Sequence, residues 1–207
     1  MEPKKEELEQ LKATGLEYVA KGWRSSVYKA QMGKKVAALK VCEAGTAVKE
    51  AEMLREANKV GVGPELYGSA EHIVAMEFID GVRYADWVET AEPVDVKKVV
   101  LKILEQCRAL DKAGIVHGQL STAEKHIIVR GNIPYIIDFE KGSAEGNARN
   151  FTAVLNFILL NPNGYAAKTT VEKLNIDANE VKRYAREYSE HGEEAYAKTR
   201  RWIQTGI

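Results

Sequence analysis

Apolar positions along this chain follow strand patterns up to about residue 80 and helical ones beyond it. Leu16 to Lys21, Val27 to Ala30 and Val36 to Val41 read as strands. The small polar stretch Gly22-Trp23-Arg24-Ser25-Ser26 and the turn Met32-Gly33-Lys34-Lys35 separate them, which predicts an antiparallel meander. Ahead of it, residues 5–14 are charged with sparse apolar positions (Leu8, Leu11) and suit a short surface helix ending near Gly15. Thr46 to Lys59 is predicted helical, with Glu50, Met53, Leu54 and Ala57 on one face and Glu52, Arg55, Glu56 and Lys59 on the other. Gly61-Val62-Gly63-Pro64 ends it, and Glu65–Tyr67 and His72–Ile79 bring the strands to five.

Past Asp80-Gly81 the spacing becomes i, i+3, i+4 through Val96, Val99, Val100, Ile103, Leu104, Cys107 and Leu110, with Gly114 as the stop. His126–Val129 and Ile133–Ile137, joined by Arg130-Gly131-Asn132, predict a short hairpin. A helix from about 148 to 160 ends at Asn161-Pro162-Asn163-Gly164. Asp177-Ala178-Asn179-Glu180 resembles a capping box that opens another, and a last helix runs to Trp202. The expected fold is α+β: a sheet lobe over residues 1–80 and a mainly helical lobe over 81–207, together one catalytic-type domain.

Composition changes this picture little. Thirty acids balance thirty bases among 207 residues, so no global field favours nucleic acid or anionic lipid. The basic run Lys198-Thr199-Arg200-Arg201-Trp202 reads as a solvated helix face anchored by its Trp, and leaves any nucleic-acid contact indirect. Cys42 and Cys107 lie in apolar runs without metal-ligand spacing and are expected as buried thiols. The charged N-terminal stretch lacks a signal-peptide core, and no 18-residue apolar run occurs; the expected location is cytoplasmic, without membrane contact.

The candidate chemistry centres on Asp138. An apolar run (Ile133, Tyr135, Ile136, Ile137) leads into it and a second acid, Glu140, follows two residues on. A carboxylate presented at a strand end needs a cation. Upstream stand Lys40 in a strand, Glu50 on the apolar face of the next helix, and the loop His117-Gly118-Gln119-Leu120. A strand lysine, a His-containing loop and a strand-end Asp, in that order, are the parts of a phosphoryl-transfer template. The turn at Gly22, with Ser25 and Ser26, could bring backbone N–H groups and hydroxyls to a phosphate.

With these residues the chain resembles the protein-kinase-like superfamily, specifically the compact atypical kinases of the RIO type, and is similar to the archaeal kinase of the tRNA-modifying KEOPS complex. The resemblance covers Tyr18 to about Leu160. It implies a bilobal fold, ATP and Mg2+ as cofactors, serine/threonine kinase or ATPase activity, and a protein substrate or partner. It also implies that Ala20, Gly22, Ser25, Ser26 and Val27 cover the phosphates, with Lys40 and Glu50 as the strand-lysine pair. Ala38, the gatekeeper Met76 and the backbones of Glu77 and Ile79 would then surround adenine, with Asp138 as a metal ligand. Glu140 replaces the glycine of Asp-Phe-Gly, as in aminoglycoside and choline kinases, and no peptide-positioning activation segment is apparent.

Two departures keep several readings open. The catalytic-base position carries Gln119, whose amide can orient a hydroxyl but cannot take its proton. The second metal-ligand position falls on Glu124 counting from His117, and on His126 counting back from the strand; Ser121-Thr122-Ala123-Glu124 also fits a capping box. An active kinase or ATPase, a nucleotide-binding pseudokinase and a small-molecule phosphotransferase all fit these residues.

Overall fold

The computed structural model describes residues 1–144, 146–161 and 164–205. After α1 (Lys5–Leu11), five strands form one antiparallel sheet: β1 (Ala13–Lys21), β2 (Ser26–Met32), β3 (Lys35–Val41), β4 (Leu66–Ser69) and β5 (Ile73–Glu77). They lie in the order β1-β2-β3-β5-β4, with α2 (Ala44–Lys59) crossing from β3 to β4.

The strand period of two sorts their side chains. Ala30, Ala37, Leu39, Val41, Ile73 and Ala75 pack on one face beneath Leu11 and Ala13. Val74 and Met76 point the other way and join Ala47, Ala51, Leu54 and Ala57 of α2 in the main core, with Ala38 packed against it. By the same parity Lys40, opposite Val27 on β2 and Val74 on β5, falls on the face toward α2.

The second half holds β6 (Val82–Arg83), α3 (Tyr84–Thr90), α4 (Pro93–Lys112), a 3-10 turn (Leu120–Lys125), β7 (Ile127–Arg130) and β8 (Ile133–Ile136). Strands β6, β7 and β8 make a small sheet in that order. Then come α5 (Asn150–Leu155), continued by a π turn (Asn156–Leu160), α6 (Tyr165–Leu174) and α7 (Ala178–Thr205). The apolar stripe of α4 is buried from Val96 to Leu110. Gly114 at φ +70° lets the chain turn back, and Ile115 N–H donates to Leu110 O. This is the small bilobal kinase-like α+β fold. Among the described residues no helix is long and apolar enough to cross a membrane.

Several elements depart from the sequence expectation. α1 stops at Leu11 because Lys12 turns left-handed at φ 53°, which sends buried Ala13 into β1 opposite Met32. Gly15, expected as the helix end, instead sits at φ +64° in a register shift of that strand. α3 and α6 were not expected; helices of seven and ten residues span too few turns to display a clear period. The run into Asp138 is half-buried, with Ile133 exposed and Pro134 and Ile136 inside. Asp177 does cap α7, its Oδ1 accepting from Asn179 N–H at 2.8 Å. The final two helices are one segment broken at His191–Gly192. Within the expected stop at 161–164, Pro162 and Asn163 lie outside the described residues, as does Glu145 of the preceding loop.

Candidate functional site

Lys40 Nζ is the hub of a largely buried cluster of charges. It lies 2.8 Å from Glu50 Oε2, 2.6 Å from Asp138 Oδ1 and 3.2 Å from Glu140 Oε2. Helix phase places Glu50 there: it shares the buried face of α2 with Ala47, Ala51, Leu54 and Ala57 and is itself only 1% exposed. Burial alone would discharge Lys40, but the charges of Glu50 and Asp138 outweigh it and hold the ammonium above its ordinary pKa. For Glu50 burial wins over Lys40 and pushes the carboxyl up to about 7. Asp138 goes the opposite way. Its partial burial is outweighed by His126 and Lys40, which hold it well below the usual carboxylate range.

Asp138 has φ 71°, left-handed backbone that a non-glycine residue adopts at a cost of about 1–3 kcal/mol. That conformation turns its carboxylate toward Lys40 while Phe139 buries its ring. Glu50, Asp138 and Glu140 bring ligand atoms within 4.8 Å of one another. Three carboxylates around one ammonium leave a surplus of negative charge, and that donor set fits a divalent cation.

Behind this cluster His117 is fully buried. Burial lowers its pKa to about 4, so the ring is neutral and donates from Nε2 to Ile137 O at 3.0 Å, with Phe139 edge-on at 4.8 Å. Its backbone N–H donates to Asn150 Oδ1 at 2.9 Å. Asn150 Nδ2 in turn donates to Ile115 O and to Asp111 Oδ1, and Asp111 Oδ2 accepts from Tyr188 OH at 2.8 Å. Asn150 thus clasps the start of the loop at Ile115 and His117 while Asp111 fixes Asn150, and sequence reasoning missed both. An acid near a helix end and an Asn opening the next helix look like ordinary surface residues until the chain brings them together. The involvement of Glu140 with Lys40 was missed as well.

Gly118 at φ +84° passes Lys141 so closely that a Cβ would lie 2.7 Å from its carbonyl oxygen, a position only glycine takes. Gln119 follows. Its backbone carbonyl accepts from Thr122 N–H at 3.1 Å, and its side-chain Oε1 is buried with no hydrogen-bond partner among the described residues. No side chain caps the 3-10 turn, so the Ser121–Glu124 capping box is not formed. Of the two candidates for the second ligand position, Glu124 is exposed, whereas buried His126 places Nδ1 3.4 Å from Asp138 Oδ2.

In the first hairpin, a register shift in β1 sets Ala20 opposite Val27. Gly22 N–H donates to Ser25 O at 2.8 Å, closing the turn; Ser26 is buried and its Oγ accepts from the Met1 amine. Ala38 and Met76 face each other across β3 and β5. Glu77 N–H is tied to Glu65 O and its carboxylate to Arg130, both at 2.8 Å. Phe78 N–H donates to Val36 O, whereas the N–H of Ile79 has no backbone acceptor among the described residues.

Elsewhere, Cys42 and Cys107 are buried thiols. Trp202 is buried against Tyr184 at 5.6 Å, while Lys198, Arg200 and Arg201 are exposed. Open grooves of about 370 and 590 Å³ run along α7, lined by paired charges such as Arg183–Glu187 and Lys198–Glu194. They take in none of the Lys40 cluster, so volume is a poor guide to the chemistry here.

A family model described as the RIO domain matches residues 15–151. An uncharacterized protein of Methanocaldococcus jannaschii is 36% identical over 114 residues, which cover 55% of this chain and 95% of that protein. The KEOPS complex subunit Bud32 of Pyrococcus abyssi is 35% identical over 95 residues. That match covers 44% of this chain and 42% of Bud32, less than half of either.

Proposed function

Because the chain belongs to the RIO-domain family, we propose that it is an ATP- and Mg2+-binding atypical serine/threonine kinase or ATPase. The observation that carries this reading is Lys40 Nζ held among Glu50, Asp138 and Glu140. A buried ammonium so fixed costs desolvation energy and supplies a preoriented charge for phosphate oxygens. In this reading Glu50 orients Lys40. Ala38, Val27 and Met76 line the adenine side, and the backbones of Glu77 and Ile79 offer hydrogen bonds to the base. Gly22, Ser25 and Ser26 cover the phosphates.

Asp138, with Glu140 and His126 beside it, is the group that would hold the cation. When bound, a divalent cation neutralises charge on the phosphoryl oxygens. His117 is a pillar of the loop rather than a proton carrier, since its ring is buried and neutral. Gln119 would orient the attacking hydroxyl or water, and the proton would leave to solvent. Losing a general base costs roughly 10²- to 10⁴-fold, which slows transfer without abolishing it.

Gln119 also favours a second reading, a nucleotide-binding pseudokinase in which the cleft serves regulation. The name of Bud32, a complex subunit, supports a protein partner in either case. Calorimetry with ATP, with and without Mg2+, followed by single-turnover phosphoryl transfer, tests the proposal. Absence of nucleotide binding overturns both readings, and binding without transfer leaves the second.

A further inference from the structure

Asp111 sits in the last turn of α4, where the helix dipole works against a carboxylate. Four donors hold it there. Oδ1 accepts from the backbone N–H and the side-chain Nδ2 of Asn150, both at 2.8 Å. Oδ2 accepts from Phe151 N–H at 3.1 Å and from Tyr188 OH at 2.8 Å. Three of these donors belong to α5, and the fourth comes from α7. Tyr188 lies beyond residues 15–151, the span that matches the RIO-domain family model. Its ring is 7% exposed and stacks on Phe151 at 4.2 Å. Its hydroxyl also accepts from Arg108 Nη1 at 3.1 Å. Arg108 and Lys112 both pair with Glu193, just past the break in α7. Burial and the Asp111 charge hold the phenol above its ordinary pKa, so it stays a donor.

We propose that Tyr188 is a positioning residue: acting through Asp111 and Asn150, it fixes the backbone of the loop that carries Gln119. The proposal deepens the reading of that loop as the one that orients the acceptor, and rests on that reading only for its effect on turnover.

A carboxylate accepts and never donates, so the partners sort themselves. Facing Asp111, Asn150 must present its amide nitrogen, which leaves the amide oxygen for His117 N–H at 2.9 Å. The same nitrogen donates to Ile115 O at 2.6 Å, so one amide pins the chain at two points. Tyr188 is the donor to Asp111 that comes from outside α5. Without its hydroxyl, Oδ2 keeps only the longer bond from Phe151 N–H, and the carboxylate is free to swing. The amide of Asn150 then loses its fixed orientation, and with it the hold on Ile115 and His117, just ahead of Gln119.

The test uses the full chain and reads amide hydrogen exchange at His117. Tyr188→Phe keeps the ring and its stacking and removes only the hydroxyl. Protection of the His117 amide should fall about 10-fold beyond any change in global stability, the weight of one hydrogen bond to a charged group. In an Asp111→Ala background the same substitution should change protection less than about two-fold, because the link is already cut. Thr199→Val is the control. It removes a buried hydroxyl from the same helix, bonded to Ala195 O, and should leave His117 unaffected. Where transfer is measured, Tyr188→Phe should lower kcat by about 5- to 10-fold with KM for ATP within about two-fold. Unchanged His117 protection in Tyr188→Phe overturns the proposal. So does an equal loss in Thr199→Val, or an undiminished effect in the Asp111→Ala background. The exchange readout needs neither nucleotide nor turnover. Lost protection in a protein that binds no ATP leaves the positioning role standing and ends the kinase reading. ATP-dependent transfer with unchanged protection does the reverse.

Discussion

In the proposed nucleotide cleft Lys40 and Gln119 would form the two walls, and their surroundings differ in kind. Lys40 meets three carboxylates within 3.2 Å, and Glu50 beneath it is fully buried. Gln119 presents a buried amide oxygen that nothing among the described residues satisfies. The first wall is a finished electrostatic device whose parts compensate one another. The second is a scaffold, held by Asn150 and Asp111, that carries an unusual side chain in the position that would face the acceptor. In the proposed function, gripping a nucleotide and activating an acceptor are separable tasks, and the residues present suit the first better than the second.

The largest effect should come from breaking the first wall. Lys40→Met strands a buried carboxyl, and urea unfolding should show a loss of about 3–5 kcal/mol. Adding Glu50→Gln should recover more than half of it. If the double variant is no more stable than the single one, the two residues are not a unit.

The next is a pH experiment that sets Glu50 against His117. Glu50 titrates near 7 in the fold against 4.5 ordinarily, so the folded state binds the extra proton and stability rises as pH falls from 7 to 4.5. His117 titrates near 4 against 6.5, so the unfolded state binds the extra proton and stability falls as pH drops from 6.5 to 4. The two oppose each other between pH 4.5 and 6.5. Glu50→Gln removes one of them and should steepen the acid loss across that window to roughly 2–3 kcal/mol. Parallel profiles for the two proteins would falsify this balance.

A change on the second wall should act on rate alone. Gln119→Asp restores a proton acceptor remote from adenine, and should raise kcat by up to roughly 10²-fold with KM for ATP within a few-fold. Unchanged background rates favour the pseudokinase. The smallest effect expected is that of Asp138→Asn. Asparagine tolerates the left-handed backbone, so the fold should survive, while the Mg2+-dependent part of ATP affinity drops about 10-fold. Equal affinity with and without Mg2+ in both proteins would remove the metal role from Asp138.

The phase of α2 was enough to point Glu50 at the sheet that carries Lys40, because the helix period is local geometry and the sequence displays it directly. The change of period near residue 80 and the apolar stripe of α4 were legible for the same reason. The choice between Glu124 and His126 was not. Counting residues gave two answers, and only the path of the 3-10 turn settled which side chain lies beside Asp138. Nor did the sequence reveal that Asp111, Asn150 and Tyr188 join three helices behind His117, or that Glu140 shares Lys40 with Asp138. Those contacts depend on where elements far apart in the chain pack, and the burial that gives each its energetic weight exists only once the core has closed around it.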